Sequence, residues 1–96
     1  MNKYETVVII NPNVDEEGVK ALVSKYEKVI NKEGKVEKTD IKEKKALAYE
    51  VKKNKEGIFV VFNYEANPTL ISEFERQMRI EDDIIKYMTI NVNEKN

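Results

Sequence analysis

Neither cysteine, histidine nor tryptophan occurs in the 96 residues. Without cysteine there are no disulfides and no thiolate nucleophiles, and without histidine as well the usual zinc sites are excluded. Histidine is also the one side chain that titrates naturally near neutrality, so most general acid–base schemes are closed. Glycine (three) and proline (two) are scarce and no low-complexity tract is present, which argues against disorder along the chain. An excess of one charge is missing too: 17 Lys and Arg against 18 Asp and Glu leave a formal net charge of -1. Indiscriminate attraction to polyanions is thereby excluded, and nucleic-acid binding would have to come from local patches. The longest apolar run is Val7-Val8-Ile9-Ile10, far short of the ~20 residues that cross a bilayer, and the N-terminus shows no h-region or cleavage site. The expectation is no membrane span and no export by a classical signal.

What is there fits one domain spanning residues 1–96. The chain is 41% hydrophobic and 36% charged, and a chain of this length buries roughly 65% of its unfolded surface around a single core. Asn2 to Ile10 is rich in β-favouring residues and ends at the turn cluster Asn11-Pro12-Asn13. Its two-sided apolar end predicts a central strand. Asp15 is a good N-cap, Glu16 and Glu17 complement a helix dipole, and Val19, Leu22, Val23, Tyr26, Val29 and Ile30 form one helical stripe that Gly34 would stop. From Lys35 to Lys53 the period shortens to two, with Ile41, Leu47, Tyr49 and Val51 on one parity, predicting a long one-sided strand. Asn54 to Gly57 reads as a hairpin turn into a second central strand, Ile58 to Tyr64. Asn67-Pro68 opens a second helix with the stripe Leu70, Ile71, Phe74 and Met78, ending near Ile80. After the acidic loop Glu81-Asp82-Asp83, a last strand runs from Ile84 to Val92 with Ile84, Met88, Ile90 and Val92 in phase. The order β-α-β-β-α-β predicts an α+β, ferredoxin-like domain: a four-stranded antiparallel sheet of order 4-1-3-2 with two helices on one face. That fold hosts many functions, so it assigns none.

Chemistry-bearing constellations are thin. Three consecutive carboxylates at 81–83 point in different directions, and a solvated loop is the better reading than a metal site. Ser24 and Ser72 lie in predicted helices with no histidine to activate them. The loop Asn11 to Val14 has neither arginine nor a glycine-rich nest, so an acylphosphatase-like anion cradle is poorly supported. An RNA-recognition stacking platform is not reproduced at Glu56 to Asn63, and Phe59 and Phe62 are counted as sheet packing. Basic residues are more informative. Segment 35–56 carries eight lysines against five carboxylates, among them Lys42, Lys44 and Lys45. Lysines on an edge strand equally serve to discourage aggregation. Arg76 and Arg79, the two arginines, sit one turn apart at the end of the second helix, where dipole complementation competes with phosphate binding. Ala46 and Ala48 alternate with Leu47 and Tyr49, small residues that would let a partner surface approach.

Certain runs carry a resemblance across essentially the whole chain. They are Tyr4-Glu5 before an apolar strand and Asn11-Pro12, Leu47-Ala48-Tyr49-x-Val51-Lys52 after Lys44-Lys45, Gly57 before the aromatic strand, and Arg79-Ile80-x-Asp82 before a strand with Lys86 and Met88. In order and spacing these resemble the bacterial small-subunit ribosomal protein S-six family. Where the family usually has glycine before the basic pair and a polar residue before the leucine, this chain has Glu43 and Ala46. The resemblance implies a non-enzymatic structural protein of the cytoplasmic small ribosomal subunit, without cofactor, metal or small-molecule substrate. It implies binding to the central domain of 16S ribosomal RNA together with ribosomal protein S-eighteen. Carried over residue by residue, it points to Lys3, Arg79 and Lys86 for phosphate contacts, with Lys44 and Lys45 matching the family's basic pair. Many members extend beyond the last strand, whereas here Asn93-Glu94-Lys95-Asn96 follows soon after it. The competing expectation is a ferredoxin-like partner-binding or self-associating module without RNA affinity.

Overall fold

The computed structural model describes residues 2–92. Its elements are β1 (Asn2–Ile10), α1 (Glu16–Glu33), β2 (Lys35–Val51), β3 (Asn54–Ala66), α2 (Pro68–Ile80) and β4 (Ile84–Asn91). All strand pairs are antiparallel and the sheet order is β2-β3-β1-β4, the expected order 4-1-3-2 read from its other edge. The tail Asn93 to Asn96 lies outside the described residues.

Local chemistry explains the boundaries. Asp15 caps α1 by accepting the Gly18 N–H at 2.8 Å. Gly34 ends that helix in extended backbone, φ -151°, so left-handed geometry is not what it supplies. It supplies room, because a Cβ there would press into the Glu65 carbonyl oxygen of β3. Asn67 holds the N-cap position of α2, but its side chain makes no capping bond; its carbonyl accepts the Leu70 N–H at 3.0 Å, and Pro68 has no N–H to satisfy.

Alternation along β1 decides which face meets the helices. Tyr4, Thr6, Val8 and Ile10 are buried with Val60, Phe62, Tyr64 and Ala66 of β3 and with Val19, Tyr26, Ile30, Leu70, Phe74 and Met78 of the helices. Phe74 is at the centre, its ring 5.7–6.0 Å from those of Tyr26, Phe62 and Tyr64. The polar groups carried into this layer are partnered: the Thr6 hydroxyl bonds Tyr64 Oη at 2.8 Å and the Thr89 hydroxyl at 3.0 Å, and Tyr26 Oη donates to the Gln77 carbonyl at 3.4 Å. The other parity of β1, with Phe59 and Val61 of β3 and Met88 and Ile90 of β4, forms the open face.

Two strands depart from the simple alternation. The β1–β4 register shifts between Ile9 and Ile10, which pair with Lys86 and Ile84, so Ile85 is an extra residue. Ile84 therefore faces the helices while Met88 and Ile90, expected in phase with it, are 54% and 44% exposed on the open face. In β2 the register breaks three times, after Val36, Ile41 and Ala46. No single apolar parity is buried there: Ile41 is 48% and Tyr49 63% exposed.

The hairpin turn also lies elsewhere than the sequence suggests. It is Lys52-Lys53, with φ 49° and 66°, while Asn54 to Gly57 belong to β3 and Val51 pairs with Asn54. The Asn54 side-chain amide donates to the Lys52 carbonyl at 3.1 Å and closes the turn. Lysine is an unfavourable residue for left-handed backbone, which glycine adopts freely. Lys53→Gly is expected to stabilise the protein by about 0.5–1 kcal/mol in urea unfolding, with no change in the slope. No gain would mean that the turn relaxes at no cost.

Beyond the pair Ile10 and Ile58, the β2–β3 hairpin continues past the end of β1 as an arm. Gly57 at its root packs against the Ile9 methyl, the Ile10 carbonyl and Ile85, a closeness that a Cβ would prevent. Leu47 and Val51 then line a groove of about 180 Å³ with Ile9 and Phe59, so the arm bends over one end of the open face.

Candidate nucleic-acid interface

The bend of the arm has an electrostatic result. Lys52 from its turn, Arg79 from the last turn of α2 and Lys86 from β4 line one cleft of about 190 Å³, over an apolar floor that includes Met78, Ile84 and Ile85. Among the described residues none of the three has a carboxylate within 4.0 Å. In a chain with 18 acids for 17 bases, three unneutralised cations around one concavity form a field suited to a phosphate group.

Several cations outside the cleft are ion-paired, whereas others, Lys42, Lys44 and Lys45 among them, have no carboxylate within 4.0 Å among the described residues either. Lys25 pairs with Glu81 at 3.0 Å, Lys20 with Glu16 at 3.4 Å and Lys38 with Asp40 at 3.6 Å. Arg76 donates through Nε and Nη2 to both Glu73 oxygens at 3.0 and 2.8 Å, and Gln77 donates to the same carboxylate at 2.7 Å. These bonds, Arg76's first, hold the Glu73 carboxyl down at about 2 and push the guanidinium up. Of the two arginines, then, Arg79 faces the cleft and Arg76 is committed to α2's own surface.

Lys86 has a neutral partner. Its ammonium donates to Tyr49 Oη at 2.5 Å. The nitrogen lies 5.0 Å from the ring centroid, nearly the full ring-to-oxygen plus oxygen-to-nitrogen path, so it sits off the hydroxyl and not over the ring face. A hydrogen bond, not a cation–π contact, joins them, and it leaves two ammonium protons for an anion.

The expected phosphate ligands thus divide. Arg79 and Lys86 come together. Lys3 lies opposite Glu65 at the far end of β1 from Ile9, the neighbour of Lys86, which is about 20 Å along a strand. Its ammonium is 3.9 Å from Glu37. Lys44 and Lys45 lie opposite Ile58 and Gly57 on edge strand β2, with β3 and β1 between them and β4, about 14 Å across the sheet. Lys52 is the residue that sequence reasoning left out of the site. It stands in the run Leu47 to Lys52, but its aim depends on a turn that the sequence places two residues later, from Asn54.

Alternative sites are occupied by their own structure. In the loop after β1 the Asn13 and Val14 amides donate to Asn11, at 2.9 and 3.1 Å, and so cannot cradle an anion. Glu81 of the acidic loop turns toward Lys25 on α1. A cavity of about 390 Å³ between the helices sets Lys32 against both Glu33 and Glu73 around Leu70 and Val29, so its lining is net negative and does not suit an anion. No described helix is long and apolar enough to cross a membrane.

Comparison with known proteins agrees with this architecture. The family model "Ribosomal protein S6" matches residues 3–91. The chain is 45% identical over 93 residues to small ribosomal subunit protein bS6 of Clostridium acetobutylicum, covering 96% of this chain and 98% of that one. To bS6 of Clostridium botulinum it is 48% identical over 91 residues, covering 94% and 97%. The crystal structure of 30S ribosomal protein S6 from Thermotoga maritima superposes with a TM-score of 0.88 at 33% identity, covering 94% of this chain and 86% of that one. With near full-length matches in sequence and in fold, the chain belongs to the ribosomal protein S6 family.

Proposed function

We propose that this chain is a structural, non-catalytic component of the cytoplasmic small ribosomal subunit that binds the central domain of 16S ribosomal RNA together with ribosomal protein S-eighteen. The observation that carries the RNA half is the cleft of Lys52, Arg79 and Lys86, a set of cations with no carboxylate to satisfy them among the described residues. Lys3, Lys44 and Lys45 are too distant to share a phosphate with that cleft and serve, in this reading, as separate backbone contacts. The partner half is supported by the open face, where Val7, Phe59 and Met88 border an apolar depression of about 140 Å³ and Ile90 is exposed beside them. A near-neutral protein that reaches RNA with a second subunit needs only local positive charge.

The test is a titration of the protein into a central-domain fragment of 16S ribosomal RNA, with and without S-eighteen, at two salt concentrations. Binding that requires or is strengthened by the partner and weakens with salt is expected. No binding in either condition, with a tight homodimer in sedimentation, would replace this reading by the self-associating module that the same apolar face would serve.

A further inference from the structure

Tyr49 is 63% exposed, so burial does not explain why its hydroxyl meets Lys86 on the opposite side of the sheet. The β2–β3 ladder is interrupted between Ala46 and Val51, and this stretch is not held in place by strand pairing. What ties it to the rest of the sheet is the bond from Lys86 to Tyr49, beside the groove that Leu47 and Val51 line with Ile9 and Phe59. Three residues after Tyr49 comes Lys52, the arm's contribution to the cleft. The position of one cleft cation thus depends on a contact made by another.

We infer that Tyr49 is a positioning residue for a phosphodiester site: its hydroxyl holds the Lys86 ammonium and docks the arm, so that Lys52 grips the same phosphate as Arg79 and Lys86. The inference rests on the RNA-binding reading above and names how the site within it is assembled. Its electrostatics give it a direction. Three like charges around one cleft oppose arm closure when the cleft is empty, and a phosphate between them reverses the sign. RNA binding and arm closure therefore strengthen each other, because the anion binds the closed arrangement better than the open one.

Tyr49→Phe removes the hydroxyl alone from an exposed side chain. Against the central-domain RNA it is expected to lower affinity about 3- to 10-fold, and to flatten the dependence of log affinity on log salt by about one although no charge has been removed. In the Tyr49→Phe background, Lys52→Ala should cost less than it does in the wild type. A loss with an unchanged salt slope, or losses that simply multiply, would overturn the inference. Inorganic pyrophosphate gives a second readout that needs no RNA. Backbone amide shifts at Lys52, Arg79 and Lys86 are expected in the wild type, and Tyr49→Phe should abolish the one at Lys52 while sparing that at Arg79. Equal shifts in both proteins would count against Tyr49. A wild type that responds to pyrophosphate through all three residues, with the Lys52 shift lost in Tyr49→Phe, yet binds no RNA would count against the RNA-binding reading and for the Tyr49 linkage.

Discussion

Replacing Lys52, Arg79 and Lys86 together by alanine is expected to lower affinity for 16S ribosomal RNA by on the order of 100- to 1,000-fold. Each charge-assisted bond to a phosphate is worth about 1.5–3 kcal/mol before the RNA and its ions readjust, and a loss of about 1 kcal/mol per residue already reaches the lower figure. Because each cation displaces condensed counterions, the salt dependence should also flatten, by between two and three in slope. All three side chains are exposed, so their truncation leaves the core untouched and unfolding midpoints should stay within about 1 kcal/mol of the wild type. Arg76→Ala is the internal control. Its guanidinium is held by Glu73, so its removal should weaken binding less than about threefold. Direct titration at two salt concentrations reads both quantities. Equal losses in Arg76→Ala and the triple variant would show that overall charge, and not the cleft, carries the affinity.

Between pH 10 and 12 the folded protein should lose on the order of 5 kcal/mol of stability through two tyrosines. Burial pushes Tyr26 and Tyr64 up from 10.0 to about 12, with Glu81 adding to the effect at Tyr26, and for Tyr64 burial outweighs the opposing bonds from Thr6 and Thr89. Below pH 10 both folded and unfolded chains hold these protons, and the tyrosines contribute no pH dependence. Above it the unfolded chain releases them first. The folded state then binds more protons than the unfolded one, and stability falls as pH rises until the folded groups ionise near 12. A shift of two units is worth roughly 2–3 kcal/mol per tyrosine, and the two together rival the total stability of a small domain. Urea melts followed by circular dichroism at pH 9, 10.5 and 12 would show the decline. Tyr26→Phe and Tyr64→Phe should each remove about half of it, which separates this effect from lysine titration in the same range. A wild type whose stability is flat across the window would mean that both hydroxyls reach solvent in the folded state.

Much of this architecture is legible in the sequence because its strongest signals are local and periodic. The stripe from Val19 to Ile30, the Asp15 cap and the two-sided apolar character of Val7 to Ile10 and Ile58 to Phe62 depend on neighbours within one element, and the observed order follows from them. What the residues could not show was register. A single extra residue, Ile85, turns Ile84 inward and leaves Met88 outward, and nothing in a run of apolar residues marks which one is surplus. The Lys52-Lys53 turn was hidden because it lacks the glycine and asparagine that usually announce left-handed backbone, while Gly57 nearby serves a close contact instead. The cleft inherits the same difficulty. Arg79 and Lys86 lie near each other in sequence and emerged through the family resemblance, but Lys52 joins them only through the bent arm. Lys3, Lys44 and Lys45 share their chemistry and differ in place.

The central position of β1 bears on how the chain reaches this structure. Its partners are distant in sequence: the hydroxyl contacts of Thr6 span 58 residues to Tyr64 and 83 to Thr89. During synthesis the first strand therefore emerges with both of its edges unpaired, one until β3 is made and the other until the last strand has left the exit tunnel. Sheet closure waits for the last strand, and the loop entropy of those long spans puts folding in the slower, non-local class. Until then the apolar run Val7 to Ile10 is a nascent edge open to foreign strands, and α1 is the one neighbouring element made early enough to cover part of it.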